Sequence, residues 1–194
     1  MVKRKFIVYA AGAGLSALLV SSCGGGGDNV SPPQATKACV AGSACVTTVA
    51  GTGESGNVDG STHDAQFWMP HSVAIDAESN VHVADYGNNN LTRLISKGGV
   101  STPSEDSISF PHPANVATDA SGNRYVADTY GNRILKTTPA GDTTVFAGTG
   151  HSGGVDGDAS TATFSLPAGL AFDVHGVLYV ADMGNRKIRK ITLI

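Results

Sequence analysis

Three stretches of the chain repeat one another in register, and this periodicity restricts the possible folds more than any other feature. Pro70, Pro113 and Pro167 each precede an aspartate by six residues: Asp76, Asp119 and Asp173. Each of these precedes a second aspartate by nine (Asp85, Asp128, Asp182), and an aliphatic residue follows six later (Leu91, Ile134, Ile188). Four positions held at fixed spacing in three copies describe a repeat protein, whose units bury their apolar faces against one another.

Within each copy two short apolar runs are joined by a turn: Ala77-Glu78-Ser79-Asn80, Ala120-Ser121-Gly122-Asn123 or Val174-His175-Gly176. Gly and Asn there supply the backbone freedom of a tight hairpin. A third run with polar residues interleaved follows, and the second copy adds a fourth at Thr143-Thr144-Val145-Phe146-Ala147. A near twin, Val46-Thr47-Thr48-Val49-Ala50, stands alone ahead of the first copy. Each unit therefore reads as a four-stranded antiparallel meander. The inner runs, such as Val-His-Val-Ala and Leu-Tyr-Val-Ala, do not alternate apolar with polar residues, as expected of strands covered on both faces. Sheets stacked around an axis are covered in that way, so the expected class is an all-β propeller. The 25 glycines and the 15% of charged residues suit many short strands and tight turns.

The start of the chain is read apart from the fold. Lys3, Arg4 and Lys5 precede an uncharged apolar run over residues 6–20. That run is short for a membrane-crossing helix and suits an export signal, residues 1–22. Leu19-Val20-Ser21-Ser22-Cys23 resembles the lipobox of bacterial lipoproteins. The resemblance implies acyl chains on Cys23 and a lipid anchor in a membrane. Gly24 stands where aspartate would imply inner-membrane retention in a Gram-negative cell, so the implied location there is the outer membrane or the periplasmic face. Residues 23–45 then form the lipidated cysteine and a tether, too poor in apolar groups to fold. In an exported chain Cys39 and Cys45 can close a disulfide or remain as two thiols. Without Lys3, Arg4 and Lys5, ten basic residues face sixteen acidic ones, a balance that argues against a nucleic-acid partner.

The pattern P-x-x-(V/L)-A-x-D, then (Y/H)-V-A-D, then Gly-Asn and a basic-aliphatic run resembles the NHL repeat, the blade of six-bladed NHL β-propellers. The segments over residues 50–67 and 147–164, both carrying AGTGxSGxVDG, resemble the connector between blades of bacterial members. The resemblance implies a propeller segment over residues 46–194, with blades at about 70–102, 113–147 and 167–194 and an outer strand at 46–50. Three blades are half of such a ring and leave two apolar faces open. Two readings stay open: a piece of a six-bladed protein, or a homodimer in which two copies close one ring and the strand at 46–50 completes the last blade of the partner copy.

Asp85, Asp128 and Asp182 fall at strand ends before turns, where a carboxylate can accept backbone N–H groups, and Asp76, Asp119 and Asp173 are read in the same structural way. Asp59, Asp64, Asp156 and Asp158 in the connectors could approach a calcium ion, but they lack an ordered ligand series and read as turn formers. Relatives of the NHL family that act as lyases hold zinc with channel histidines, which makes His71 and His112 the weak metal candidates here. No HExxH or G-x-S-x-G motif and no phosphate loop occurs, and no cofactor is expected. Trp68, beside Pro70, either packs at a blade junction or lines a binding surface. The expected function is a non-enzymatic, membrane-anchored scaffold binding a protein or glycan at the cell envelope. The alternatives are a lyase- or lactonase-like enzyme with a channel metal, and a remnant of a larger propeller.

Overall fold

The two apolar runs of each copy become neighbouring antiparallel strands, because each run ends in an aspartate and a hairpin turn joins them. In the computed structural model the described residues are 41–42, 44–88, 91–103 and 113–192. The chain divides into two units, Met1–Cys45 and Val46–Ile194, and every strand among the described residues lies in the second. The first copy gives β1 (Pro70–Ile75), β2 (Val81–Asp85), β3 (Leu91–Ser96) and β4 (Gly99–Ser101). The second gives β5 (Pro113–Thr118), β6 (Arg124–Asp128), β7 (Arg133–Thr137) and β8 (Thr143–Ala147). The third gives β9 (Pro167–Phe172), β10 (Leu178–Asp182) and β11 (Lys187–Ile191). The result is an all-β fold of three antiparallel sheets, two with four strands and one with three, each in sequential order.

The hairpin between the first two strands is built alike three times. Asp76 N–H donates to the Asn80 carbonyl, Asp119 to Asn123 and Asp173 to Val177, at 3.0–3.1 Å. One turn position is left-handed in each copy: Ser79 at φ 66°, Gly122 at 77° and Gly176 at 79°. Glycine adopts that conformation without strain; the first copy places serine there.

Adjacent sheets stack with their inner strands side by side and running the same way. Thr118 Oγ1 donates to the Ile75 carbonyl at 2.9 Å, Asn115 Nδ2 to Ser72 Oγ at 2.9 Å, and Leu170 N–H to Asn115 Oδ1 at 3.1 Å. Each sheet has a front that looks toward the preceding copy and a back that looks toward the next. Alternation along the strands assigns the side chains. Ala84 and Ala74, on the back of the first blade, meet Val116, Val126 and Leu135 on the front of the second. Tyr125, Ala127 and Ile134, on the back of the second, meet Phe164, Leu170, Phe172, Leu178 and Val180 on the front of the third. Tyr125 is held edge-on between Phe146 and Phe172, each ring centroid 4.9 Å away, an arrangement favoured by the ring quadrupoles.

Within this chain, residues 46–50 pair with no strand among the described residues. The first blade has its fourth strand in β4, as the four-stranded reading of each unit expects, although the sequence reading did not give its residues. Its partner beyond the blade is the connector, where Gly60 and Val100 exchange backbone hydrogen bonds at 3.0 and 2.8 Å.

Ile134 is fully buried between two sheets, so Ile134→Ala lowers unfolding free energy by about 2–5 kcal/mol in urea titrations. Val145→Ala, at an exposed site on the neighbouring strand, changes it by no more than about 0.5 kcal/mol.

Candidate binding surface

The end of each sheet where the inner strand begins and the second strand ends is fixed by a buried carboxylate. Asp85 accepts from Trp68 N–H at 2.8 Å, Asn88 Nδ2 at 2.5 Å and Arg93 Nη1 at 3.4 Å. Asp182 accepts from Ser165 N–H at 2.8 Å, Asn185 Nδ2 at 2.7 Å and Arg189 Nη1 at 3.0 Å. The two arginines also reach the connectors. Arg93 donates to the Gln66 and Val58 carbonyls and to Asp59. Arg189 donates to the Thr163 and Val155 carbonyls and pairs with Asp156 at 2.6 Å. Each guanidinium lies over a connector aromatic, Phe67 at 5.2 Å and Phe164 at 5.0 Å, and stacking of this kind suits arginine rather than lysine. The second blade is built differently: Leu135 occupies the ladder position of the arginines, and Asp128 pairs with Arg133 Nε at 2.8 Å.

These clamps hold a tight turn ahead of the inner strand. Met69 and Leu166, each just before the blade-start proline, take left-handed backbone at φ 53° and 50°, which costs energy in residues with a Cβ. The turn is tied down by Gly87 N–H to the Trp68 carbonyl at 2.7 Å and Gly184 N–H to the Ser165 carbonyl at 2.8 Å. A side chain at Gly87 would run into the Trp68 carbonyl and ring, and one at Gly184 into Ser165, so the glycine of each turn is required by close approach.

The turn in the first blade pushes large side chains outward. Trp68, Met69 and His71 are exposed, as is Tyr130. The His71 ring lies 5.5 Å from Tyr86 and its Nδ1 is 2.9 Å from the Ala114 carbonyl. Tyr86 is hydrogen-bonded to Tyr130, and that bond, with some burial, raises its phenol above the ordinary value. Exposed Trp68, His71 and Tyr130, with half-buried Tyr86 between His71 and Tyr130, thus give an aromatic surface spanning two blades, of the composition that dominates binding hot spots.

The other predicted residues take these places. Asp76, Asp119 and Asp173 cap the hairpins: Asp76 accepts from Glu78 and Asn80 N–H and from His82 Nε2. Asp119 accepts from Ser121 and Asn123 N–H and from the Tyr125 hydroxyl. Asp173 accepts from His175 and Val177 N–H. Asp64 accepts from Ser61 Oγ at 2.6 Å, and the Asp158 carbonyl accepts from Thr161 and Ala162 N–H. Among the described residues no group of three or more His, Cys, Asp or Glu side chains converges. Cys45 is disulfide-bonded, while Cys23, Cys39 and His112 lie outside the described residues. Arg93 and Arg189 were missed by the sequence reading. The signal was present but offset by one: Arg93 follows Asp85 by eight residues and Arg189 follows Asp182 by seven.

Burial raises the Asp76 and Asp119 carboxyls, but the hydrogen bonds they accept outweigh it, so both sit below the ordinary 3.8. Asp173 is lowered chiefly by Val177 N–H. Carboxylates lowered in the fold stabilise it above the ordinary value, and that contribution is lost as pH falls through the lowered value. Melting temperature therefore drops on the acid side below about pH 4, and Asp119→Asn flattens that drop. Asp85 behaves oppositely, since burial raises it above 3.8 against its donors. Arg93→Ala, which leaves Asp85 buried without its cation, destabilises by about 3–5 kcal/mol in denaturant titrations.

The comparisons agree with this geometry. Residues 43–192 match the teneurin NHL domain family. Among solved structures, a protein of unknown function from Bacteroides thetaiotaomicron superposes with a TM-score of 0.54 at 24% identity, over 62% of this chain and 32% of that one. An auxiliary nutrient binding protein from the same organism gives 0.54 at 21% identity, over 68% and 39%. A putative phosphatase from that organism gives 0.54 at 20%, over 68% and 36%. These likenesses concern the fold, and the chain spans between about a third and two fifths of those proteins. No curated protein matches the sequence. Repeat spacing, sheet topology and the family match agree: the chain belongs to the teneurin NHL domain family and forms three blades of a β-propeller.

Proposed function

We propose that the chain is a non-enzymatic scaffold, lipid-anchored through Cys23 at the outer side of a bacterial membrane, that presents an aromatic surface to a glycan or protein of the cell envelope. The observation that carries this reading is the aromatic set of exposed Trp68, His71 and Tyr130 with half-buried Tyr86 across two blades. Large rings held in place by backbone clamps lose little conformational freedom on binding, which is why Trp and Tyr dominate recognition surfaces. The repeated carboxylates are engaged in holding turns and connectors.

Trp68 is the single tryptophan of the chain, so its emission reports directly on this surface. Titration with soluble envelope glycans and envelope proteins produces a saturable change in Trp68 emission, and Tyr130→Ala weakens the affinity by about tenfold or more. Emission unchanged by every glycan and protein, together with stoichiometric zinc that His71→Ala removes, would favour a metal-dependent enzyme instead.

A further inference from the structure

Among the described residues no sheet covers the front of the first blade or the back of the third, and the repeat shows what each would fit. Phe67, Val73, Val81, Val83 and Ile95 on this front, together with residues 48–50 of the same chain, line an apolar groove of about 370 Å³, and Ile75 lies on the same face. In ladder position the front residues match Phe164, Leu170, Phe172, Leu178, Val180 and Ile191, the face of the third blade that packs on the second. Val73 and Ile75 are 63% and 65% exposed, as a docking face without its seat would be.

The open back of the third blade is a copy of that seat. Tyr179, Ala181, Ile188 and Lys190 stand where Tyr125, Ala127, Ile134 and Lys136 receive the third blade. Ile134 is fully buried, but Ile188 is 75% exposed and Tyr179 40%. The chain thus carries a plug at one end and, at the other, a socket that already accepts a plug of this pattern internally.

The strand inventory has the same mismatch. Among the described residues β11 has no fourth strand beside it, whereas β7 is completed by β8. Residues 46–50 lie 97 positions before β8, and the connectors that follow the two segments fold alike at that same offset. Gly51 N–H bonds the Thr62 carbonyl as Gly148 N–H bonds Ala159, Thr52 bonds Ala65 as Thr149 bonds Ala162, and Gly56 bonds Phe67 as Gly153 bonds Phe164. Among the described residues, 46–50 are therefore a fourth strand without a sheet, and β11 a third strand without a neighbour.

We propose that a second copy of this chain covers both faces. The front of one first blade seats on the back of the other third blade, and residues 46–50 pair with β11 of the partner copy in the register that β8 makes with β7. That register sets Ala50 opposite Ile188 and Val46 opposite Ile191, by analogy with Ala147 opposite Ile134 and Thr143 opposite Thr137. Val49 takes the place of Phe146 against a tyrosine, now Tyr179. The plug and socket lie at opposite ends of the three blades, so two copies form both contacts at once and close. One difference weakens this contact relative to the internal ones. Gly169 stands where Asn115 accepts a hydrogen bond from Leu170 N–H, and it offers no side-chain acceptor to Val73. The inference does not depend on what the aromatic surface binds.

Thiol cross-linking in the full chain tests it, because Ile75 and Tyr179 are both exposed and correspond to the Phe172 and Tyr125 rings that touch internally. A short bifunctional maleimide is applied to Ile75→Cys chains, to Tyr179→Cys chains and to their mixture, with the parent chain as background. The expected result is a two-chain product above background only in the mixture. The variant carrying both changes is expected to give two-chain products and no longer ladder. No product in the mixture, a product with either single variant alone, or a ladder from the double variant would overturn the proposal.

Discussion

Face-to-face contact between neighbouring sheets is the constraint on which this structure depends. A four-stranded antiparallel sheet can leave one face to water, but these inner strands are apolar on both faces and need a neighbour on each side. The second blade has both neighbours, and all five residues of its strand β6 are buried. The third blade has one, and Tyr179, the counterpart of buried Tyr125, is exposed. Burial in this chain is thus set by position along the stack as much as by residue type, as expected when stability is a sum of units and the interfaces between them.

Stacking alone would leave the connectors loose, and the clamps of the first and third blades answer that. Each places a carboxylate at the end of the second strand and an arginine on the third, and joins both to the connector through carbonyl groups, an aspartate and an aromatic ring. A buried ion pair contributes little net stability once desolvation is counted, but losing either member leaves an uncompensated charge. The same clamps hold the left-handed turn that places Trp68 at the surface, so the scaffold and the candidate binding surface share one set of interactions.

Much of the fold was legible because the hairpin chemistry is local. Asp76, Asp119 and Asp173 keep a fixed distance from their prolines, and each bonds N–H groups within four residues of itself. The arginine clamps were not legible, since the extra asparagine after Gly87 shifts the first copy by one. The ladder sets Leu91 opposite Asp85 but Ile134 opposite Ala127, so the even spacing of Leu91, Ile134 and Ile188 in sequence hides unequal places in the sheets. The strand expected at residues 46–50 has strand composition but no neighbour, and a β-ladder is a property of two segments. The aromatic surface was half visible: Trp68 was noted, but the meeting of Tyr86 with Tyr130 depends on how two blades pack, which spacing within one copy does not encode.

Amide hydrogen exchange resolved strand by strand tests the central claim most directly, because local opening follows burial and packing. At protein concentrations low enough to keep chains separate, the account predicts slowest exchange in β6, which is enclosed by sheets on both sides, and faster exchange in β10 and β11 of the one-sided third blade. Equal protection of β6 and β10, or faster exchange in β6, would contradict it.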